Sequence, residues 1–572
     1  MALSGFSEHF ISVAVLGVVC GLVFFLFLGK SPFHDKGEPR EALVVQDIVE
    51  NGKWLFPLKL GQNIPSKPPL FHWVGAIASR IWGEMTEVTI RFPSALSATL
   101  GVFLIYCWGA KFYGRETGLL AGVMLATTVI YQTAAVEARV DMTLVFFITL
   151  PLSLFFGIHQ RVMRSEGWWY AFYLTAGVGV LAKGPVNIIL TGIIIAVFLA
   201  LRSEWRFLAR LLRHPGIVVG IASFAVWYGV ALKRGGSDFA GLQFVKENLA
   251  RFFVHGEGGS GHQKPIYYFL LYLLPLGFPW TMFFPLLLWQ YFKKKWFADE
   301  RALFLGIWIA AVFFFFSFSA GKRPPYILPL YPPLALLTAL WCRRNGEQAA
   351  ECPSAVKWIG WFTGGLGAIM LLVLLGHVIG MDIPSVLQLL NVRLRPKAAL
   401  EVQMTQQILD ERTWLVGSLL LASGVIWLSV ARDLMRHKIK IAVVQIACLA
   451  VFTIVIVQGI VTPTLATVRS YDDFVQLAAS TAGTRGELLL FGKGLNNSSI
   501  MFYGRPKIQL VTEDFDALRR RLKQTRDYVI LGERQWKQLG ADVSLFPPLL
   551  RSRGLGPSGD DPLVLIQGIR NR

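Results

Sequence analysis

Charge is scarce in this sequence. Of its 572 residues only 16% are Asp, Glu, Lys or Arg, whereas 54% are hydrophobic and the mean hydropathy is +0.51. Soluble globular chains run near 25% charged, so the composition argues for a membrane protein and excludes disordered and collagen-like chains. Cysteine is scarcer still. Five cysteines cannot supply a disulfide framework, and no CxxC pair occurs; Cys20, Cys107, Cys342 and Cys448 sit in or beside apolar runs. A cysteine-based metal site is thereby removed. No convincing internal repeat is present, which weighs against an inverted-repeat transporter.

Apolar runs fill most of the chain. A membrane span needs roughly 20 predominantly apolar residues. Thirteen such segments lie near 10–29, 93–111, 117–135, 141–159, 168–182, 185–201, 215–232, 266–291, 302–320, 325–342, 357–380, 413–431 and 440–462. An odd number puts the termini on opposite sides. The first segment lacks a basic n-region and a small-residue cleavage site, so it reads as a retained span.

The 56 Lys and Arg outnumber the 36 Asp and Glu, a net charge of +20. Nucleic acid is not the partner this implies, because most of the basic residues lie in short loops between apolar runs. The loops after even-numbered spans hold Lys111 and Arg115, Arg161 and Arg164, Arg202 to Arg213, Lys293 to Lys295, Arg343 and Arg344, and Arg432 to Lys440. The positive-inside rule makes those loops cytoplasmic. Residues 30–92, 234–265, 381–412 and everything beyond 463 then face outward. Such a charge balance favours anionic lipids and phosphate-bearing substrates.

Beyond about 463 the pattern changes. Segments 487–491, 507–511 and 527–531 read as short strands, and 514–524 and 534–539 as helices. A small α/β domain over 463–572 follows, behind a transmembrane domain over 1–462.

The outward loops collect polar groups. The first reads His34-Asp35-Lys36-Gly37-Glu38-Pro39-Arg40-Glu41, then a helical stretch over 42–49, a turn at Asn51-Gly52, and Ser66-Lys67-Pro68-Pro69. Asp35, Glu38 and Glu41 are carboxylates at a lipid–water boundary, where partial desolvation suits such groups to base work; the alternative is ordinary solvated charge. Glu137, Arg139 and Asp141 mark the end of the third span and the start of the fourth. An ionisable group opening an apolar run, as Asp141 does, should face protein or a water-filled cavity. Lys183 interrupts two apolar runs, and snorkelling accounts for it as well as function does. The third loop holds Lys246, Glu247, Asn248 and Arg251, then a glycine-rich stretch at 256–261 before His262. That stretch lacks the GxxxxGK[ST] pattern of a P-loop, and a mobile substrate lid fits it better. Finally Lys322-Arg323-Pro324-Pro325-Tyr326 sets two cations at a membrane surface, suited to phosphate or to a lipid headgroup.

Taken in order, these motifs resemble the GT-C superfamily of membrane glycosyltransferases, in particular the bacterial aminoarabinose transferase and protein O-mannosyltransferase branch. The resemblance runs through Gly37-Glu38-Pro39-Arg40-Glu41-Ala42, Asn51-Gly52-Lys53-Trp54, Ser66-Lys67-Pro68-Pro69-Leu70, Arg91-Phe92-Pro93, Glu137 to Asp141, Lys183-Gly184-Pro185, His262 with Pro265, Pro279-Trp280 and Tyr326 to Pro329. It implies a polytopic α-helical fold with an outer α/β domain, set in the bacterial inner membrane with the N-terminus cytoplasmic and the C-terminal domain periplasmic. It also implies transfer of a sugar from a polyprenyl-phosphate carrier to a lipid A-like lipid, a glycan or a protein. The family's Asp-Glu-x-Arg motif meets Gly37 here, so only Glu38 and Arg40 match. The base is then Asp35 or Glu38. An acidic residue usual before the matching Lys-Pro is Ser66 here, which counts against a metal shared between that position and His262.

The chemistry of such a transfer needs a proton acceptor for the incoming nucleophile and cations for the departing phosphate. Asp35 or Glu38 and Asp141 are the catalytic candidates. Arg40, Lys67, Arg91, Glu137, Arg139, His262, Lys322, Arg323 and Tyr326 are the binding candidates. A single displacement inverts the anomeric centre. No ligand spacing demands a metal, although a divalent ion is compatible with the carboxylates. The rival reading is a polyprenyl-linked sugar flippase or other transporter, which calls for ionisable groups at mid-span; nearly all of those here lie at outer span ends.

Overall fold

Apolar runs of this length leave the backbone one open-chain solution in lipid, a helix that satisfies its own N–H and C=O groups. The structure, a computed structural model, describes residues 2–61, 63–250, 252, 254, 263–347, 353–389, 391–394, 396–483, 487–491, 497–505, 508–511, 514–554, 556 and 562–569. Each of the expected apolar segments is helical. Among the described residues nine helices are long and apolar enough to cross a membrane; the bent pairs Arg115–Ala126 with Val129–Ala135 (67°) and Tyr268–Leu276 with Trp280–Lys293 (112°) raise that to eleven. The expected thirteen is not reached on length. Gly167–Lys183 and Val186–Leu201 have 17 and 16 residues, cut short where Gly184-Pro185 ends one helix and starts the next. The chain is a multi-pass membrane protein.

The residues divide into two compact units, one of 1–28, 45–372 and 420–455, the other of 29–44, 373–419 and 456–572. In the first unit, helices that lack large side chains at their crossing approach closely. A Cβ on Gly177, in helix Gly167–Lys183, would lie 2.1 Å from the carbonyl oxygen of Gly220 in helix Gly216–Ala240. Backbone cannot yield as a side chain can. Gly177→Ala should therefore destabilise the fold by about 1–3 kcal/mol or more, read as a lowered thermal midpoint in detergent.

The second unit holds the α/β domain. Its strands are β1 (Leu488–Phe491), β2 (Ile508–Val511), β3 (Tyr528–Gly532), β4 (Leu550–Arg551) and β5 (Leu563–Gln567), in the order β2-β1-β3-β5-β4. β1 pairs in parallel with β2 and β3, while β5 runs antiparallel to β3 and β4. Alternate residues serve opposite faces. Leu488, Leu490, Ile530 and Leu565 pack with Val475 and Ala478; Leu489, Phe491, Val529, Leu531 and Val564 pack with Leu518, Leu522 and Trp536. The same unit takes in the start of the first loop. Lys30 donates to the Gly459 carbonyl at 2.6 Å, and the Phe33 N–H donates to the Tyr503 hydroxyl at 2.6 Å.

Candidate functional site

Within the first unit, Lys67 and Tyr326 line one cavity of about 410 Å³, together with Lys183, Glu247, Asn248 and Ser319. Its remaining wall is apolar, with Leu144, Val186, Ile189, Phe244, Phe252, Phe315 and Phe316. Cations beside hydrocarbon suit a ligand with a charged head and a lipid tail.

Lys67 precedes two prolines, the second of which, Pro69, has already turned into the helical region (φ −88°, ψ −6°) as the N-cap of helix Leu70–Trp82. Its ammonium lies 2.5 Å from the carboxylate of Glu247, with the two side chains only 14% and 11% exposed. Gln243 donates to the Pro65 carbonyl at 2.9 Å and ties the same two segments together. Lys183 ends helix Gly167–Lys183, which stops because Gly184 takes φ +96°. The Lys183 ammonium pairs with Asp141 and stands 5.0 Å from the centre of the Tyr326 ring. Asp141 sits in the first turn of helix Val140–His159, whose N-cap is Arg139. Arg139 pairs with Glu137 at 3.0 Å. Burial pulls the Arg139 pKa below the ordinary arginine value, and the Asp141 charge opposes that fall. Arg323 acts electrostatically on both Arg139 and Asp141.

Three cations (Arg139, Lys183, Arg323) thus face two carboxylates (Glu137, Asp141). The imbalance favours an anion. Lys322 is buried and donates to the Ser319 carbonyl at 2.5 Å, and burial lowers its pKa below the ordinary lysine value.

Other expected residues lie elsewhere. Arg91 is buried in helix Glu87–Tyr113 and donates to the Leu28 carbonyl at 2.9 Å; it is not among the described residues lining the cavity. Asp35, Glu38 and Arg40 belong to the second unit. Asp35 accepts from the N–H groups of Gly37 and Glu38 at 2.7 and 2.8 Å, capping helix Glu38–Asn51. That cap starts the helix four residues before the expected 42–49 stretch, with Glu38 and Glu41 in the first turn where the helix dipole favours them. Glu38 is fully buried and Arg40 is exposed. His262 and the glycine-rich stretch 256–261 lie outside the described residues.

The sequence shows Glu247 and Asn248 only as polar residues of the third outer loop, without a role in the site, and leaves Lys183 open between snorkelling and function. The signal available was the need of a buried lysine for a counter-charge. Among the described residues His159, Glu204 and Glu300 bring ligand atoms within 4.8 Å of one another, as a metal would need. The ring nitrogens of His159 face different carboxylates, Nε2 at 2.6 Å from Glu204 and Nδ1 at 3.3 Å from Glu300, with Arg202 alongside. That is an ion-pair cluster.

Known proteins with related sequence and structure bear on this geometry. Residues 66–228 match the family model of dolichyl-phosphate-mannose-protein mannosyltransferases. An undecaprenyl phosphate-alpha-4-amino-4-deoxy-L-arabinose arabinosyl transferase of Enterobacter sp. (strain 638) is 24% identical over 64% of this chain and 65% of its own length. The corresponding transferase 2 of Pseudomonas fluorescens (strain Pf0-1) is 28% identical over 55% of this chain and 57% of its own. The chain therefore spans less than two thirds of these relatives. Among solved structures, ArnT from Cupriavidus metallidurans bound to undecaprenyl phosphate superposes with a TM-score of 0.77 at 20% identity, over 97% of this chain and 98% of that one. The chain thus shares the fold of the Cupriavidus metallidurans ArnT structure.

Proposed function

We propose that the protein is a glycosyltransferase that moves a sugar from an undecaprenyl-phosphate carrier to an acceptor at the outer face of the bacterial inner membrane. The observation that carries this is the cavity in which Lys67, Lys183 and Tyr326 meet an apolar wall. A carrier phosphate needs the first and a polyprenyl tail needs the second. The relatives' names point to the same donor class.

In this reading Lys67, Lys183 and Tyr326 hold the phosphate and stabilise the charge that grows on it as the glycosidic bond breaks. Asp141 fixes Lys183 and, with Glu137 and Arg139, orients the sugar. Lys322 and Arg323 raise the local positive potential, and Arg40 and Arg91 retain their roles as binding candidates. Asp35 or Glu38 takes the proton of the acceptor. One displacement inverts the anomeric carbon. The acceptor is a lipid A-like lipid, a glycan or a protein, and the α/β domain binds it on the periplasmic side.

Because burial lowers the Lys322 pKa, its charge is lost at a lower pH than that of an ordinary lysine. Carrier binding should weaken as pH rises through that lowered value, and Lys322→Arg should move the limb to higher pH. A binding titration across pH 7 to 11 checks it. The donor site itself is tested with undecaprenyl phosphate against undecaprenol on purified protein. One saturable site with at least about tenfold preference for the phosphate is expected; equal binding of the two would remove the phosphate site.

A further inference from the structure

Helix Trp205–Arg213, in the first unit, sorts its side chains into three faces. At about 100° per residue, Arg206, Arg210 and Arg213 fall within an arc of about 60°. Phe207, Leu208 and Leu211 pack on the helical core, and Trp205 and Leu212, 59% and 65% exposed, form an apolar edge between the two. A short helix with a protein face, a lipid edge and a cationic face belongs at the membrane surface. It is fixed there: Tyr173 donates to the Leu211 carbonyl, the His214 ring stacks with Trp169 and Tyr173 at 5.1 and 5.4 Å, and Arg210 lies 5.1 Å over the Trp169 ring. Among the described residues none of the three guanidiniums forms an ion pair. Glu204 pairs with His159 and Arg202 on the side of Phe207, whose ring is 5.1 Å from that of His159. Glu166 hydrogen-bonds His214 at 2.7 Å and, counted in full, still leaves the guanidiniums in excess.

Leu211 and Leu212 also wall a cavity of about 250 Å³ among helices Gly167–Lys183, Val186–Leu201 and Gly216–Ala240. Apart from Tyr173 and Thr191 its lining is apolar or glycine. A Cβ on Gly192 would meet nothing within 4 Å, so the missing side chain leaves the space open. Ile188 and Ile221, 42% and 52% exposed, mark where the cavity meets the lipid. From Ile217 to Phe224 it follows seven residues of helix, about 10 Å, which fits within the roughly 15 Å of hydrocarbon in one leaflet. The carrier cavity lies at the far end of helix Gly167–Lys183, where Lys183 is fourteen residues, about 21 Å, from Trp169.

We infer that the arginine face and this cavity form a binding site for one anionic glycerophospholipid of the leaflet opposite the carrier cavity. The phosphate lies on the guanidiniums, whose paired donors match its oxygens, and one acyl chain enters the cavity past Leu212. A zwitterionic head would bring an ammonium against the same three guanidiniums, so the site selects a head without one. The apolar edge at Trp205 and Leu212 sets the helix at the depth where a headgroup and the top of its chain meet.

Native mass spectrometry of the delipidated full chain tests this, with phosphatidylglycerol, phosphatidylethanolamine and undecaprenyl phosphate titrated separately and in competition. One phosphatidylglycerol should bind at concentrations where phosphatidylethanolamine does not, and undecaprenyl phosphate should bind beside it without displacing it. Arg213→Gln should weaken phosphatidylglycerol about fivefold, and Arg206→Gln with Arg213→Gln about 25-fold. Gly192→Trp, at an open position of the cavity, should exclude the lipid; Ile188→Trp provides a second plug should that variant fold poorly. Equal affinity for the two phospholipids, unchanged affinity in the double arginine variant, retention of phosphatidylglycerol by both tryptophan variants, or its displacement by undecaprenyl phosphate would each overturn the assignment.

Discussion

Lys67→Met should lower turnover by about 10²–10³-fold, the effect of removing one preorganised donor from a developing oxyanion. Two losses combine. The carrier phosphate loses a cation, and Glu247, only 11% exposed, loses the ammonium that pairs with it in the cavity wall. Breaking a fully buried pair costs about 3–5 kcal/mol, and residual exposure here scales that down. The Lys67→Met, Glu247→Gln double variant separates the two. It should recover most of the thermal stability, because the carboxylate that lost its Lys67 partner no longer carries a charge, and recover little turnover, because the phosphate still lacks its cation. Turnover that returns with stability would make the pair structural.

The second large effect concerns the proton acceptor. One of Asp35→Asn and Glu38→Gln should cut turnover by about 10²–10⁴-fold, the usual contribution of a general base. The two substitutions differ in their side effects. Asp35 caps helix Glu38–Asn51 through Gly37 and Glu38, and Asn is also a good cap, so Asp35→Asn should keep the fold and isolate the charge. Glu38 is fully buried, so Glu38→Gln should be read with circular dichroism and a thermal midpoint alongside. A pH–rate profile decides further, since loss of the base removes the acidic limb. Should both variants keep full turnover, Asp141 becomes the leading candidate.

The helices were legible because apolar length and loop charge are local properties of the chain. The pairing of Lys183 with Asp141 was not: Lys183 among apolar residues reads equally as snorkelling, and only the fold brings it to a carboxylate 42 positions away. The pairing of Glu247 with Lys67 was hidden for the same reason, the two lying 180 positions apart. Arg91 illustrates the reverse, a motif residue whose guanidinium is engaged with a backbone carbonyl. In the outer domain three strands were read from apolar runs. Strand β4 escaped because two residues carry no periodicity, and β5 lies in an apolar run close to the chain end.

The most direct measurement of the central claim is acceptor-dependent release of undecaprenyl phosphate by purified protein in lipid, given undecaprenyl-phosphate sugars with and without an outer-envelope lipid extract. Release that requires the acceptor, with the sugar recovered on it and the anomeric configuration inverted, is the predicted result. A carrier that crosses the bilayer with its sugar still attached, and no release under any acceptor, would contradict it and make the protein a transporter.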